Sequence, residues 1–152
     1  MVRLARVFAA LILMGNGALA QSNTPGGMPP PTGMTLAKSA AMRFPQSVRV
    51  GDLIDRDVLQ PVESQNVLGT VRQVVLEPKG TIEVVINYGG FLGFGTRPIA
   101  VPVDAMVLVG QVMEVVAFTP EQLGQFATFS TGDTTPVPAD TIIKVGLAKP
   151  SH

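Results

Sequence analysis

Carboxylates are the side chains best suited to chemistry in this chain, because it has no cysteine and a single histidine, His152 at its last position. Asp52, Asp55 and Asp57 stand within six residues, which suggests a cation-binding loop. A calcium loop follows the pattern D-x-D-x-D-G with a later bidentate glutamate, and this segment lacks that pattern. Solvated turn residues are the better interpretation, and we expect no metal or other cofactor.

Catalytic side chains are equally sparse. General acid–base catalysis needs two positioned carboxylates or a histidine that titrates near the working pH. Glu83, Asp104 and Glu114 each stand alone on a predicted strand face. The sequence also lacks the G-x-S-x-G nucleophile elbow, and its composition excludes zinc sites built from histidine and cysteine. We therefore expect a protein without enzymatic activity.

A glycine-rich loop at residues 89–95 is the third candidate site. It has neither the lysine and hydroxyl residue of a P-loop nor the G-x-G-x-x-G spacing, and it precedes a strand instead of opening a helix. Phosphate binding is therefore disfavoured. Two uses remain for Phe91, Leu92 and Phe94: they plug the end of a β-structure, or they stay exposed and anchor a partner protein.

The first twenty residues have the layout of a secretory signal peptide. Two arginines precede an apolar run at 7–14, and Ala18 and Ala20 supply the small residues that signal peptidase requires. Cleavage is predicted before Gln21. An uncleaved membrane anchor would need about 20 apolar residues, which this run does not reach. The predicted location is the bacterial periplasm or the medium, with no stable membrane anchor after cleavage.

The mature chain carries 9 basic and 11 acidic residues, a net charge of −2. Nucleic-acid binding needs clustered lysine and arginine, so it is not expected. Residues 21–47 hold five prolines and three glycines and are predicted to be a disordered leader, with a helical turn or two between 36 and 44. Lys38 and Arg43 give the leader a charge that favours weak folding back on the acidic domain that follows.

Residues 48–118 are rich in β-branched side chains, with 17 valines and 4 isoleucines against 3 alanines. Such side chains pack well on a pleated surface, so this segment is predicted to form antiparallel strands. The candidate strands are 57–59, 69–77, 81–88, 99–103 and 107–118. A short helix follows, because Thr119, Pro120 and Gln122 form a capping-box start. Leu123 and either Phe126 or Phe129 are expected to pack back on the sheet.

The segment 107–118 is apolar on both faces except for Gln111 and Glu114. Gly110 stands where a bulge would reverse the facing of the strand. A small sheet buries one face of each strand, so the second face of this segment requires a cover. The chain itself or a partner protein must supply it.

Several motifs resemble the PRC-barrel domain family. They are Val-Gly-Asp-Leu-Ile at 50–54, Leu-Gly-Thr-Val at 68–71, the Glu-Pro-Lys-Gly turn at 77–80, the glycine–phenylalanine loop at 89–95 and Ile-Ala-Val-Pro-Val-Asp-Ala at 99–105. Family members typically carry an acidic residue where this chain has Arg72-Gln73. The resemblance implies a small antiparallel β-barrel that mediates protein contacts.

The predicted architecture is all-β: a PRC-type barrel at 48–129 with a short C-terminal helix, preceded by the signal peptide (1–20) and the leader (21–47). A flexible tail at 130–152 includes a possible short strand at 141–147. The predicted function is a non-enzymatic interaction or assembly module that binds an envelope protein or itself. The predicted contact residues are Phe91, Leu92, Phe94, Val112, Val116 and Phe118. The alternative is a periplasmic stress-related protein that binds a small ligand or a metal.

Overall fold

The computed structural model describes residues 35–60, 66–90 and 94–147. The predicted signal-peptide residues Ala18 and Ala20, and the loop residues Phe91 and Leu92, lie outside the described residues. The elements are α1 (Leu36–Ala41), β1 (Phe44–Arg49), β2 (Asp57–Leu59), β3 (Val67–Leu76), β4 (Ile82–Tyr88), β5 (Arg97–Pro102), β6 (Met106–Val109), β7 (Val112–Val115), α2 (Pro120–Gly124), β8 (Thr135–Pro136) and β9 (Ile142–Leu147).

The strands form one sheet in the order β1-β9-β6-β7-β2-β3-β4-β5, with β8 paired to β3. The all-β prediction is confirmed, and the sheet is not closed on itself. The prediction of purely antiparallel pairing is wrong, because β2 pairs with β7 and β6 pairs with β9 in parallel. The parallel pairs join elements that are distant in sequence.

The long strand predicted at 107–118 is two strands. Gly110 has a φ of +57°, a value that glycine adopts without the strain a Cβ would add. It turns the chain back on itself, so that Val109 of β6 lies opposite Val112 of β7. The bulge predicted at Gly110 is therefore corrected to the turn of a hairpin, which we call the β6–β7 hairpin.

The main core cluster lies on one face of the sheet, and Val75 and Val85, which alternate with its members, are also fully buried. Alternation places Val84 and Ile86 of β4, and Ile99 and Val101 of β5, in the main cluster, as predicted. Burial is complete at Val71, Met106 and a further set of core residues contributed by most of the strands. One cluster therefore ties the elements of the sheet together.

The N-terminal segment contributes to this fold. Residues 36–41 of the predicted leader form α1, and residues 44–49, which extend past the end of that leader, form β1, which pairs with β9. The Arg43 guanidinium donates a hydrogen bond of 2.8 Å to the carbonyl of Asp104. Burial lowers the pKa of Arg43, and the Asp104 carboxylate opposes that shift. The sheet thus includes residues on both sides of the predicted 48–129 domain.

Helix α2 packs against one end of the sheet. The predicted capping box is present: Thr119 accepts from the Gln122 N–H, and the Gln122 side chain accepts from the Thr119 N–H. Leu123 is fully buried. The Phe126 ring meets Phe118 edge to face at 5.0 Å, and both rings pack against the core. The predicted packing of Leu123 and Phe126 is confirmed.

Arg97 and Tyr88, paired across β5 and β4, attach α2 to the sheet. The Arg97 guanidinium donates to the carbonyls of Phe126 and Gly124, both at 2.6 Å, and lies 5.7 Å from the centre of the Tyr88 ring. The Tyr88 hydroxyl donates to the Pro120 carbonyl at 3.0 Å. Carbonyls at the end of a helix lack helical donors, so Arg97 satisfies groups that α2 leaves unpaired.

Replacing Arg97 by alanine is expected to lower the free energy of unfolding by about 2 kcal/mol, because charge-assisted hydrogen bonds to the Phe126 carbonyl, which is part-buried, and to the Gly124 carbonyl, which is exposed, are lost. Urea unfolding followed by circular dichroism measures this. Arg72→Ala on the exposed surface of β3 is the control and should change stability by less than about 0.5 kcal/mol. Equal effects of the two substitutions would contradict the role of Arg97.

The outer edge of β5 is a poor template for pairing with another strand. The Pro98 carbonyl points to this edge and accepts the Phe129 N–H at 2.7 Å. Pro102, four residues later, points the same way, and neither proline has an N–H to donate. Prolines on an edge strand discourage edge-to-edge association. Contacts with a partner protein are therefore expected on the faces of the sheet instead of this edge.

Candidate interaction site

The β6–β7 hairpin leaves two apolar side chains only partly buried on its outer face. Leu108, Met113 and Val115 point into the core cluster. Val109 and Val112, opposite each other in the register, alternate with those residues and are half-buried. Two-sided apolarity in the sequence thus corresponds to one core face and one partly open face.

Part of this outer face is covered by the chain itself. Val107 is only 3% exposed although it alternates with the core residues. It lies opposite Gly146 of β9, and the Arg43 side chain packs beside that glycine, 3.1 Å from the position of a Cβ. The N-terminal segment therefore covers part of the outer face of the β6–β7 hairpin, as the sequence predicted for some part of the chain or a partner. The rest of that face is not covered by the described residues.

The open part continues onto the neighbouring strands. Glu114 of β7 lies next to Leu59 of β2, which lies opposite Val67 of β3. Leu59 is half-buried, and Val67 is 57% exposed. We call this set the outer patch. It consists of Leu59, Val67, Val109, Val112 and Val116.

A groove of about 350 Å³ extends from the outer patch toward the glycine-rich loop. It is lined by Val67, Gly69, Thr70, Asn87, Gly90 and Thr96. Gly90 has a φ of +86°, and a Cβ there would lie 2.6 Å from the Phe94 carbonyl. Glycine is therefore required at position 90, because Phe94 and Thr96 occupy the space that a side chain would need.

Phe94 stands beside this groove and is 80% exposed. Its ring does not plug the end of the sheet, which was one of the two uses considered for the loop residues. Large exposed aromatic side chains are typical anchors in protein interfaces. Phe94 is therefore placed to extend the contact surface of the outer patch across the groove.

The four predicted contact residues that the structure describes, Phe94, Val112, Val116 and Phe118, do not form one surface. Val112 and Val116 belong to the outer patch, whereas Phe94 is not part of it and lies near Gly90 of the groove. Phe118 is half-buried against Phe126 and the core, so its ring serves internal packing. Leu59 and Val67 were not predicted as contact residues, because only the pairing of β2 with β7 brings them beside the hairpin.

Glu114 is the one charged side chain on the outer face of the β6–β7 hairpin. It lies between Val107 of β6 and Leu59 of β2. Burial raises the pKa of its carboxyl group, because the charged form loses solvation. A cationic group from a partner would stabilise the charged form of this carboxyl group and so offset part of the lost solvation.

The other candidate carboxylates stand apart from this site. Burial raises the pKa of Glu83 on β4, and the neighbouring Glu77 carboxylate raises it further. Asp104 precedes β6 and faces Arg43. Across the part of the chain that the structure describes, no three acidic or histidine side chains are grouped so that they could hold a metal ion.

The Asp52–Asp57 segment forms a turn, as its composition predicted. Asp55 has a φ of +63°, and its N–H donates to the Val71 carbonyl. The Arg56 side chain donates to the backbone carbonyls of Asp52 and Gly110, the latter at 2.8 Å. Arg56 therefore ties this turn to the β6–β7 hairpin through carbonyl groups.

No protein-family model matches the chain, and no curated protein matches it. Among the described residues, none of the helices is long and apolar enough to cross a membrane. The resemblance to the PRC-barrel family thus rests on the motifs themselves.

Proposed function

We propose that the protein is an exported, non-enzymatic PRC-barrel protein that binds another protein of the bacterial cell envelope through the outer patch and Phe94. The observation that carries this proposal is the group of half-buried or exposed apolar side chains around Glu114, from Val109 and Val112 of the β6–β7 hairpin to Leu59 and Val67. Contiguous exposed apolar surface marks interaction sites in proteins.

The positions of the family motifs support the assignment. Residues 68–71 lie in β3, and residues 77–80 form the turn between β3 and β4, where the Gly80 N–H donates to the Glu77 carbonyl at 2.8 Å. Residues 99–102 lie in β5. The motifs expected in strands therefore lie in strands, and the motif expected in a turn lies in a turn.

The chemistry of the outer patch favours a partner with an apolar surface and one lysine or arginine. Glu114 requires a cation or hydrogen-bond donor when the surrounding water is removed. Residues 48–129 carry 5 basic and 9 acidic residues, a net charge of −4. A second copy of the chain brings like charge toward Glu114, so a different, basic protein fits better than self-association.

Two measurements test this proposal together. Envelope cross-linking followed by mass spectrometry should recover a defined partner, and sedimentation of the purified mature chain should show a monomer over a wide concentration range. A dimer in sedimentation would mean that a second copy occupies the patch. A monomer at every concentration, with no partner recovered from the envelope, would overturn the proposal.

Export has its own test. The protein recovered from the periplasm or the medium should begin at Gln21 when its intact mass is measured. Replacing Ala18 and Ala20 by tyrosine should leave the precursor uncleaved, because signal peptidase requires small residues at these positions. Replacement of Ala10, inside the apolar run, by leucine is the control and should leave cleavage unchanged. Full-length protein in the cytoplasm would contradict export.

A further inference from the structure

The end of the sheet away from α2 holds a second cavity. Leu123 of α2 is buried at the end where Tyr88 and Arg97 lie. Near the opposite end, Ile82 begins β4 and lines a cavity of about 640 Å³. Cavities that bind small molecules typically measure about 300–1,000 Å³.

The walls of this cavity are largely aliphatic. Ile82, Val137 and Ile143 pack with the core and also line the cavity. Leu76 and Ile142 line it as well, and they are 40% and 65% exposed. Two large exposed apolar side chains, Leu76 and Ile142, therefore border the same cavity. An apolar ligand bound there would remove both from water, which is energetically favourable.

The charged residues of the cavity are mainly basic. Lys79, in the turn between β3 and β4, and Lys144 of β9 both line it. The Lys144 ammonium donates to the Ser47 hydroxyl at 2.5 Å, an exposed contact on the side of β1. Asp104 also lines the cavity, but Arg43 faces that carboxylate. The local charge favours an anion.

We propose that this cavity binds a single-chain amphiphile with an anionic head group, such as a fatty-acid carboxylate. The hydrocarbon chain lies against Leu76, Ile82 and Ile142, and the head group lies between Lys79 and Lys144. A carboxylate bound by two ammonium groups gains charge-assisted hydrogen bonds. The proposed ligand binding is separate from the proposed protein contact, because no residue of the outer patch lines the cavity.

Titration of the mature chain with laurate below its micelle concentration, followed by amide NMR, tests the proposal. Laurate should shift the amide signals of Thr81 and Ile142, and these shifts should reach a plateau as the laurate concentration rises. Dodecyltrimethylammonium, which has a hydrocarbon chain of similar length and the opposite charge, should bind at least tenfold more weakly. Lys79→Glu should weaken laurate binding at least tenfold, whereas Arg72→Glu, an exposed site outside the cavity, should change it less than twofold.

Three results would overturn the proposal. One is the absence of saturable shifts with laurate, and another is equal binding of the two amphiphiles. The third is binding to phosphatidylglycerol vesicles without binding of monomeric laurate, which would mean contact with a bilayer surface. Cross-linking through the outer patch is unaffected by any of these results, so the two proposals fail separately.

Discussion

Replacing Gly69 by alanine is expected to lower the free energy of unfolding by more than about 3 kcal/mol, and this is the largest stability effect we predict. A Cβ at this position would lie 2.0 Å from the carbonyl oxygen of Asn87 and 2.8 Å from its carbonyl carbon. Both are backbone atoms of the adjacent strand β4, so no side-chain rotation relieves the clash. Strands β3 and β4 would have to separate where they enclose the groove.

Urea unfolding monitored by circular dichroism measures this effect, and Gly124→Ala is the matched control. Gly124 lies in α2, and the nearest atom to a Cβ there is the Tyr88 hydroxyl at 3.9 Å. Alanine is favoured over glycine in helices, so the control should be neutral or stabilising by up to about 1 kcal/mol. A Gly69→Ala protein as stable as the wild type would show that β3 and β4 are not so closely paired.

The largest effect on binding is expected from Val112→Asp. This substitution places a second carboxylate beside Glu114 on the outer patch, where it must be desolvated when a partner covers it. The yield of the envelope cross-link should fall at least tenfold. Because Val112 is half-buried in a strand, the variant should lose about 1 kcal/mol of stability, little enough for it to remain folded.

Ile142→Asp is the control for this experiment, since it adds the same charge at an exposed apolar side chain outside the outer patch. It should leave the cross-link yield unchanged and weaken laurate binding. If both substitutions reduce the cross-link yield equally, the effect comes from net charge and the outer patch is not the binding surface.

Local patterns predicted much of the fold correctly. The alternation of Ile82, Val84 and Ile86, and the capping box at Thr119, are encoded within a few residues of each other. Hydrogen bonding and periodicity at this range do not depend on distant parts of the chain. These elements therefore lie within a few residues of their predicted positions.

Other elements depend on contacts that no local pattern contains. β1 has only one buried residue, Val48, and includes a proline, so its sequence does not indicate a strand. It is a strand because it pairs with β9, where Phe44 lies opposite Leu147. Pairing with a neighbouring strand thus decides the conformation of β1 more than the intrinsic β-propensity of its residues does.

The candidate site likewise combines features that local patterns predicted with features that depend on distant contacts. Two-sided apolarity at 107–118 predicted a second apolar face that needs a cover, and the structure leaves Val109 and Val112 of that face half-buried. The cover over Val107 and the position of Leu59 beside Glu114 arise from parallel pairings. Those pairings join distant segments, so sequence patterns alone did not indicate them.

Photo-cross-linking at single sites tests the central proposal most directly. A photoreactive phenylalanine analogue is placed at Val112 in one variant and at Asp133, an exposed residue outside the outer patch, in another. Both variants are irradiated in the bacterium that produces them. We predict a single discrete adduct from position 112 that is absent from position 133. Equal adducts from both positions, or none from position 112, would contradict the assignment of the outer patch as the binding surface.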